Sequence, residues 1–247
     1  MGNSVLDIGC GYGNTLLGML PTSKGQRVIF NDLSSEHLEI IVRRLEKRKY
    51  AHNNNYNGDF YLNNKLFPDE MDFPDNSFSS ILFSYVAHYL TPTEIEVGMQ
   101  KMYDWLIPGG RVYYRVLSIN AHPFYFYRNE YERRKTEGDR WPGYIESLQN
   151  IDLPGKPTTG FPDSIHPHGV DELTRLAEET GFTLNIISKS TTYKELHRLV
   201  LLWLFSRNRH RLSHMVLSLL SWLIELLRKS FRGLCNMRFI ITHNLMM

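Results

Sequence analysis

The chain has 247 residues, 42% of them hydrophobic and 22% charged, with 28 Lys and Arg against 26 Asp and Glu for a net charge of +2. That balance excludes a disordered tail, a collagen-like repeat and a low-complexity scaffold, and a chain this long buries enough apolar surface to fold without a metal or disulfide staple. The two cysteines, Cys10 and Cys235, stand in no pairing pattern, which makes a reducing, cytoplasmic setting the expectation.

The charge is unevenly placed. Between positions 194 and 232, eight Lys and Arg stand against Glu195 and Glu225, a local +6 that leaves −4 for the remainder. The opening Met1-Gly2-Asn3-Ser4 lacks the basic flank of a secretory leader. The longest apolar stretch, 215–227, is shorter than the roughly 18–20 residues that cross a bilayer.

In chain order, residues 4–8 read as an apolar strand running into glycines, and 14–20 continue at helical spacing. Residues 27–32 form a second strand; Ser34-Ser35-Glu36 then caps an amphipathic helix through Leu38, Ile41, Val42 and Leu45. A polar loop at 52–57 precedes Gly58-Asp59-Phe60. A strand is expected at 78–85, a helix at 93–106, a turn at Pro108-Gly109-Gly110 and a strand at 111–117. Residues 119–168 break this rhythm with Phe124, Tyr125, Phe126, Tyr127, Tyr131, Trp141 and Tyr144, as a substrate lid would. A helix at 170–180 ends at Gly181, and 182–188 is a strand. Residues 194–233 read as a helical insertion and 238–242 as a last strand. Alternating strands and helices predict an α/β fold with a mostly parallel sheet, in a single domain.

The sharpest local feature is Val5-Leu6-Asp7-Ile8-Gly9-Cys10-Gly11-Tyr12-Gly13. Glycines at a strand's carboxyl end let a ligand approach the backbone, and Asp32, at the end of the second strand, can accept both hydroxyls of a ribose. A dinucleotide fingerprint would need glycine where Asn14 stands, and the Gly-Lys-Ser/Thr of a phosphate loop is missing. The segment resembles motif I of the class I S-adenosylmethionine (SAM)-dependent methyltransferases. The likeness continues through Asp32, Gly58-Asp59-Phe60 at the end of a third strand, the run Phe73-Pro74-Asp75-Asn76-Ser77-Phe78, Pro108-Gly109-Gly110 and residues 173–182.

That resemblance implies a Rossmann-like, seven-stranded sheet whose last strand is antiparallel, and SAM as cofactor with S-adenosylhomocysteine (SAH) as product. It implies that Gly9, Cys10 and Gly11 pass under the methionine part, with Asp7 near its ammonium. Asp32 would hold the ribose, Leu33 would lie against the adenine, Asp59 would receive the adenine amino group beside Phe60, and Ser84 and Tyr85 would line the methionine side. Members of that family carry one or two helices ahead of this loop. With three residues before Ser4, the N-terminal helix is expected to be missing.

Methyl transfer is an in-line displacement, and an oxygen or nitrogen nucleophile needs a base. His88, His166 and His168 are the candidates, with Tyr89 and His122 behind them. His166-Pro167-His168 has a metal-like look, but with no third ligand evident no metal site is expected. No nucleic-acid module is attached, so a small organic acceptor is favoured. A protein or lipid-like acceptor, or a catalytically silent SAM-fold binding protein, is the alternative. The basic C-terminal segment suggests a membrane-surface or homodimer contact.

Overall fold

The computed structural model describes residues 4–19, 27–51, 58–155, 162–190 and 200–206. The elements are β1 (Ser4–Ile8), α1 (Asn14–Met19), β2 (Arg27–Asn31), α2 (Ser35–Ala51), β3 (Asp59–Asn63) and β4 (Phe78–Ser84). They continue with α3 (Pro92–Trp105), β5 (Leu106–Leu117), α4 (Arg128–Thr136), α5 (Val170–Thr180), β6 (Thr183–Ser190) and β7 (Val200–Ser206). Short 3-10 turns at Ala87–Tyr89 and His122–Tyr127 complete the chain path.

Seven strands form one sheet in the order β3-β2-β1-β4-β5-β7-β6. The pairs from β3 through β5 are parallel. Among the described strands, only β7 runs the other way, between β5 and β6. The expected architecture is therefore present, with one correction. The antiparallel strand is Val200–Ser206, inside the stretch read as a helical insertion at 194–233. Val-Leu-Leu-Trp-Leu-Phe is a continuous apolar run, and such a run cannot be assigned to helix or strand by periodicity. Backbone pairing on both sides, Arg111 with Ser206 and Thr183 with Ser206, decides it. The expected strand at 238–242 and most of the basic segment lie outside the described residues.

Alternation along β1 divides the core. Leu6 and Ile8 join Phe83, Tyr114, Met99, Trp105 and Leu173 beneath α3 and α5. Val5 joins Val28, Phe30, Leu82 and Tyr113 beneath α1 and α2, with Leu17 and Ile41 from those helices. Asp7, two residues after Val5, is directed to the α1/α2 face, because side chains in a strand alternate. A third cluster, built from Phe124, Tyr127, Tyr131, Ile145, Leu148 and Ile165, rests on Leu117 at the carboxyl end of β5. The residue 119–168 segment thus has its own small core. Phe124, Tyr127, Tyr131 and Trp141 are buried and serve packing, whereas Tyr125 is 52% exposed under the Arg128 guanidinium.

Helix α3 is started by a capping box. Thr91 Oγ1 accepts from the Glu94 amide at 3.3 Å, Glu94 Oε2 accepts from the Thr91 amide at 2.7 Å, and Pro92 begins the first turn. Thr91→Ala is expected to lower unfolding free energy by about 1 kcal/mol in urea titration. Since α3 covers the sheet with buried Ile95, Met99 and Met102, the loss should appear in global unfolding rather than in local fraying.

Candidate functional site

The site begins where β1 ends. Gly9, Gly11 and Gly13 all have left-handed backbone, at φ +64°, +53° and +70°. The first and third are held by packing: a Cβ on Gly9 would lie 2.3 Å from Val86 Cγ2, and one on Gly13 would lie 3.0 Å from Ile41 Cγ1. Gly11 is different, because a Cβ there would meet nothing within 4 Å. The middle of the loop opens to space while its two ends are clamped.

Carboxylates line this opening. Asp32 accepts from the Gly11 amide at 2.7 Å and the Ser34 amide at 2.9 Å, and its Oδ1 lies 3.0 Å from His37 Nδ1. Two backbone donors and an imidazole hold it at the end of β2. Asp7 is buried, and its Oδ2 has no hydrogen-bond partner. Burial, then the nearby Asp32 charge, pushes the Asp7 carboxyl up to about 8, so it holds a proton at neutral pH. Cys10 is half-buried, and burial with the charges of Asp7 and Asp32 raises its thiol far above the reactive range. Leu33 beside Asp32 is 62% exposed, and Tyr12 is 48% exposed with its ring edge-on to His37. Both are apolar surfaces at the mouth of the loop.

Asp59 does not join this group. It starts β3 and pairs with Arg27 at the amino end of β2, so it lies at the sheet edge opposite the glycine loop. Phe60 follows it into the α1/α2-side core, tilted against Phe30 at 6.4 Å. Gly58-Asp59-Phe60 was expected at the end of the third strand, but pairing with β2 makes it the beginning. The carboxyl end of β3 instead carries Asn63, paired with Asn31. Asn31 Nδ2 donates to the Lys65 carbonyl at 2.8 Å and the Asn63 carbonyl at 3.2 Å. Its Oδ1 accepts from the Gly9 amide at 3.4 Å. This buried side chain ties the glycine loop to the chain leaving β3, and only its place one residue before Asp32 could have drawn notice to it.

Ser84 and Tyr85 lie at the carboxyl end of β4. Tyr85 has φ +59°, uncommon for a residue with a side chain, and its ring sits 4.5 Å from the Arg115 guanidinium carbon. His88 follows in the 3-10 turn, buried, with its ring 4.1 Å from that of Tyr89. The structure brings His166 and His168 to the same edge. The His166 amide donates to the His88 carbonyl, and the His168 amide to the Leu117 carbonyl, both at 2.9 Å. The two imidazoles stack at 4.2 Å. Burial, then His168, holds His166 well below the usual imidazole range against the opposing pull of the Leu90 backbone, leaving it neutral. His122 is exposed in the segment after β5, its ring 4.9 Å from that of Tyr125.

A parallel sheet with a glycine loop at the β1 carboxyl end and an acid closing β2 is the frame on which comparison with known proteins turns. Residues 5–110 match the model of the methyltransferase domain. This is a class I SAM-dependent methyltransferase fold. A SAM-dependent methyltransferase from Methanosarcina mazei shares the methyltransferase fold at TM-score 0.58 and 19% identity, over 85% of this chain and 94% of that one. Magnesium protoporphyrin IX methyltransferase from Synechocystis PCC 6803, solved with bound SAH, shares it at TM-score 0.53 and 12% identity, over 84% and 74%. In sequence, the chain is 25% identical over 114 residues to phosphoethanolamine N-methyltransferase of Triticum aestivum. That match takes in 46% of this chain and 21% of the wheat enzyme. No helix among the described residues is long and apolar enough to cross a membrane.

Proposed function

We propose that the protein is a SAM-dependent methyltransferase acting on an oxygen or nitrogen nucleophile of a small organic molecule. The observation that carries this reading is the open Gly11 between two clamped glycines, flanked by a buried carboxyl with an orphaned oxygen. That opening fits an extended ligand bearing an ammonium: backbone can approach it at Gly11, and Asp7 Oδ2 lacks a partner that a cation would supply. Asp32 retains one lone pair, on Oδ2, beyond those used by Gly11, Ser34 and His37, and it can accept one ribose hydroxyl. Leu33 offers an apolar shelf for a base. SAM supplies a methyl group on a sulfonium when bound.

The chain's own residues do the rest. The lid core over β5 excludes water, which favours a reaction in which charge is dispersed. Tyr85, held in left-handed backbone with Arg115 on its ring, orients the acceptor side. His88, at the same edge, takes the nucleophile's proton. The wheat enzyme's name supports a small polar amine as one acceptor to try, although it concerns a protein of which this chain matches a fifth. A cytoplasmic setting belongs to the same proposal.

Titration calorimetry with SAM, SAH and NAD tests the ligand. SAM and SAH should bind and NAD should not. Asp32→Ala should weaken SAH binding by about 1–3 kcal/mol, the range for a hydrogen bond to a charged acceptor. Unchanged affinity would place the ligand elsewhere. Incubation with methyl-labelled SAM and separate small-molecule, lipid and protein fractions, phosphoethanolamine among the first, tests the acceptor. Label confined to protein would overturn the small-molecule reading.

A further inference from the structure

His166, His168 and Glu172 each bring a ligand-capable atom to within 4.8 Å of the others. They are 0%, 0% and 3% exposed. Both ring nitrogens of His166, both of His168 and Oε1 of Glu172 meet no hydrogen-bond partner. Five such atoms in one cluster depart sharply from the near-complete satisfaction usual for buried polar groups. The Tyr131 hydroxyl is the side-chain donor that faces the Glu172 carboxylate. A Cβ on Gly143 would lie 2.0 Å from the Pro167 carbonyl oxygen, and one on Gly169 would lie 2.0 Å from the Tyr131 hydroxyl. The backbone thus closes tightly around the three side chains.

We propose that His166, His168 and Glu172 form an enclosed site for a divalent first-row transition metal. The sequence shows the histidine pair. The third ligand becomes visible only once α5 is known to start at Val170, which puts Glu172 in its first turn, four residues after His168. Glu172 Oε2 accepts from the Gly169 amide at 3.2 Å, and His168 Nδ1 lies 3.7 Å from that oxygen. That anchor aims the carboxylate while leaving Oε1 for an ion. Two imidazoles and one carboxylate suit zinc, iron, cobalt or nickel, and disfavour magnesium and calcium, which take oxygen ligands. In a tetrahedral site with bonds of 2.0–2.1 Å the ligand atoms stand about 3.3 Å apart, so the ion draws the cluster together by turning the stacked rings. Such an ion pins the residue 141–168 segment to α5 and to the carboxyl ends of β4 and β5. It is independent of methyl transfer, and it leaves His88 as the base.

The test uses the full chain, stripped with a chelator and titrated with zinc against a chromophoric competitor. One tight equivalent is expected, with a rise in melting temperature. Both effects should be lost in the double variant His166→Gln/His168→Gln and kept in His122→Gln. Cobalt-loaded wild type should show nitrogen and oxygen ligation without a thiolate charge-transfer band, and two paramagnetically shifted imidazole N–H resonances. The cobalt measurement stands even if the double variant does not fold. No tight equivalent, a sulfur band, missing imidazole resonances, or unchanged uptake in a folded double variant overturns the proposal.

Discussion

Asp7→Asn should raise the stability of the ligand-free protein at pH 7 by on the order of 2–4 kcal/mol and remove the destabilisation that grows between pH 4 and 8. The wild-type carboxyl titrates near 3.8 when unfolded and is pushed up to about 8 when folded, by burial first and by Asp32 second. Between those values the folded chain holds a proton that the unfolded chain has released. Raising the pH through this window therefore favours unfolding through Asp7, and the Asp7 contribution, read as the difference between the Asn variant and wild type, should grow from pH 4 to 8 and level off above. Denaturant titrations of both proteins at several pH values measure the difference, and parallel profiles would remove the buried, protonated carboxyl. A ligand that brings an ammonium to Asp7 should expel this proton. The heat of SAH binding at pH 7 should then depend on the ionisation enthalpy of the buffer, and equal heats would separate the ammonium from Asp7.

The glycines of the loop should divide into two kinds. Gly9→Ala puts a methyl 2.3 Å from Val86 Cγ2 on a backbone at φ +64°. Left-handed strain and overpacking together should cost about 2–4 kcal/mol of stability. Gly11→Ala meets no neighbour, so only the strain at φ +53° remains, about 1–2 kcal/mol. Its methyl would instead occupy the space left for a ligand. Thermal melts and SAH titrations should therefore show Gly9→Ala chiefly as lost stability and Gly11→Ala chiefly as lost binding, by tenfold or more. If Gly11→Ala bound SAH normally, the opening at the centre of the loop would not be the cofactor's path.

The glycine loop and the acid of β2 could be read from the sequence because they are local. Three glycines over five positions after an apolar strand mark a chain that must turn in left-handed backbone, and an acid at the end of the next strand faces the same edge. The alternation of strands and helices was legible for the same reason, since each element's hydrophobic pattern is its own. Asp59 shows where this stops. Nothing within Gly58-Asp59-Phe60 tells whether a strand begins or ends there; the pairing of Asp59 with Arg27 does. Residues 200–206 repeat the lesson, because an apolar run takes its conformation from the strands on either side.

By itself, the sequence determined the parallel α/β plan, the glycine turn at the end of β1 and the placing of Asp7 and Asp32 beside it. Those depend on backbone preference and on periodicities of two and 3.6 residues, which short segments carry within them. Only the tertiary structure decided that Asn31 and Asn63, rather than Asp59, meet at the carboxyl end of β3. It also decided that Phe124, Tyr127, Tyr131 and Trp141 pack, and that His88, His166, His168 and Glu172 share one buried edge. These are contacts between segments far apart in the chain, set by sheet register and by close backbone approach at Gly143 and Gly169.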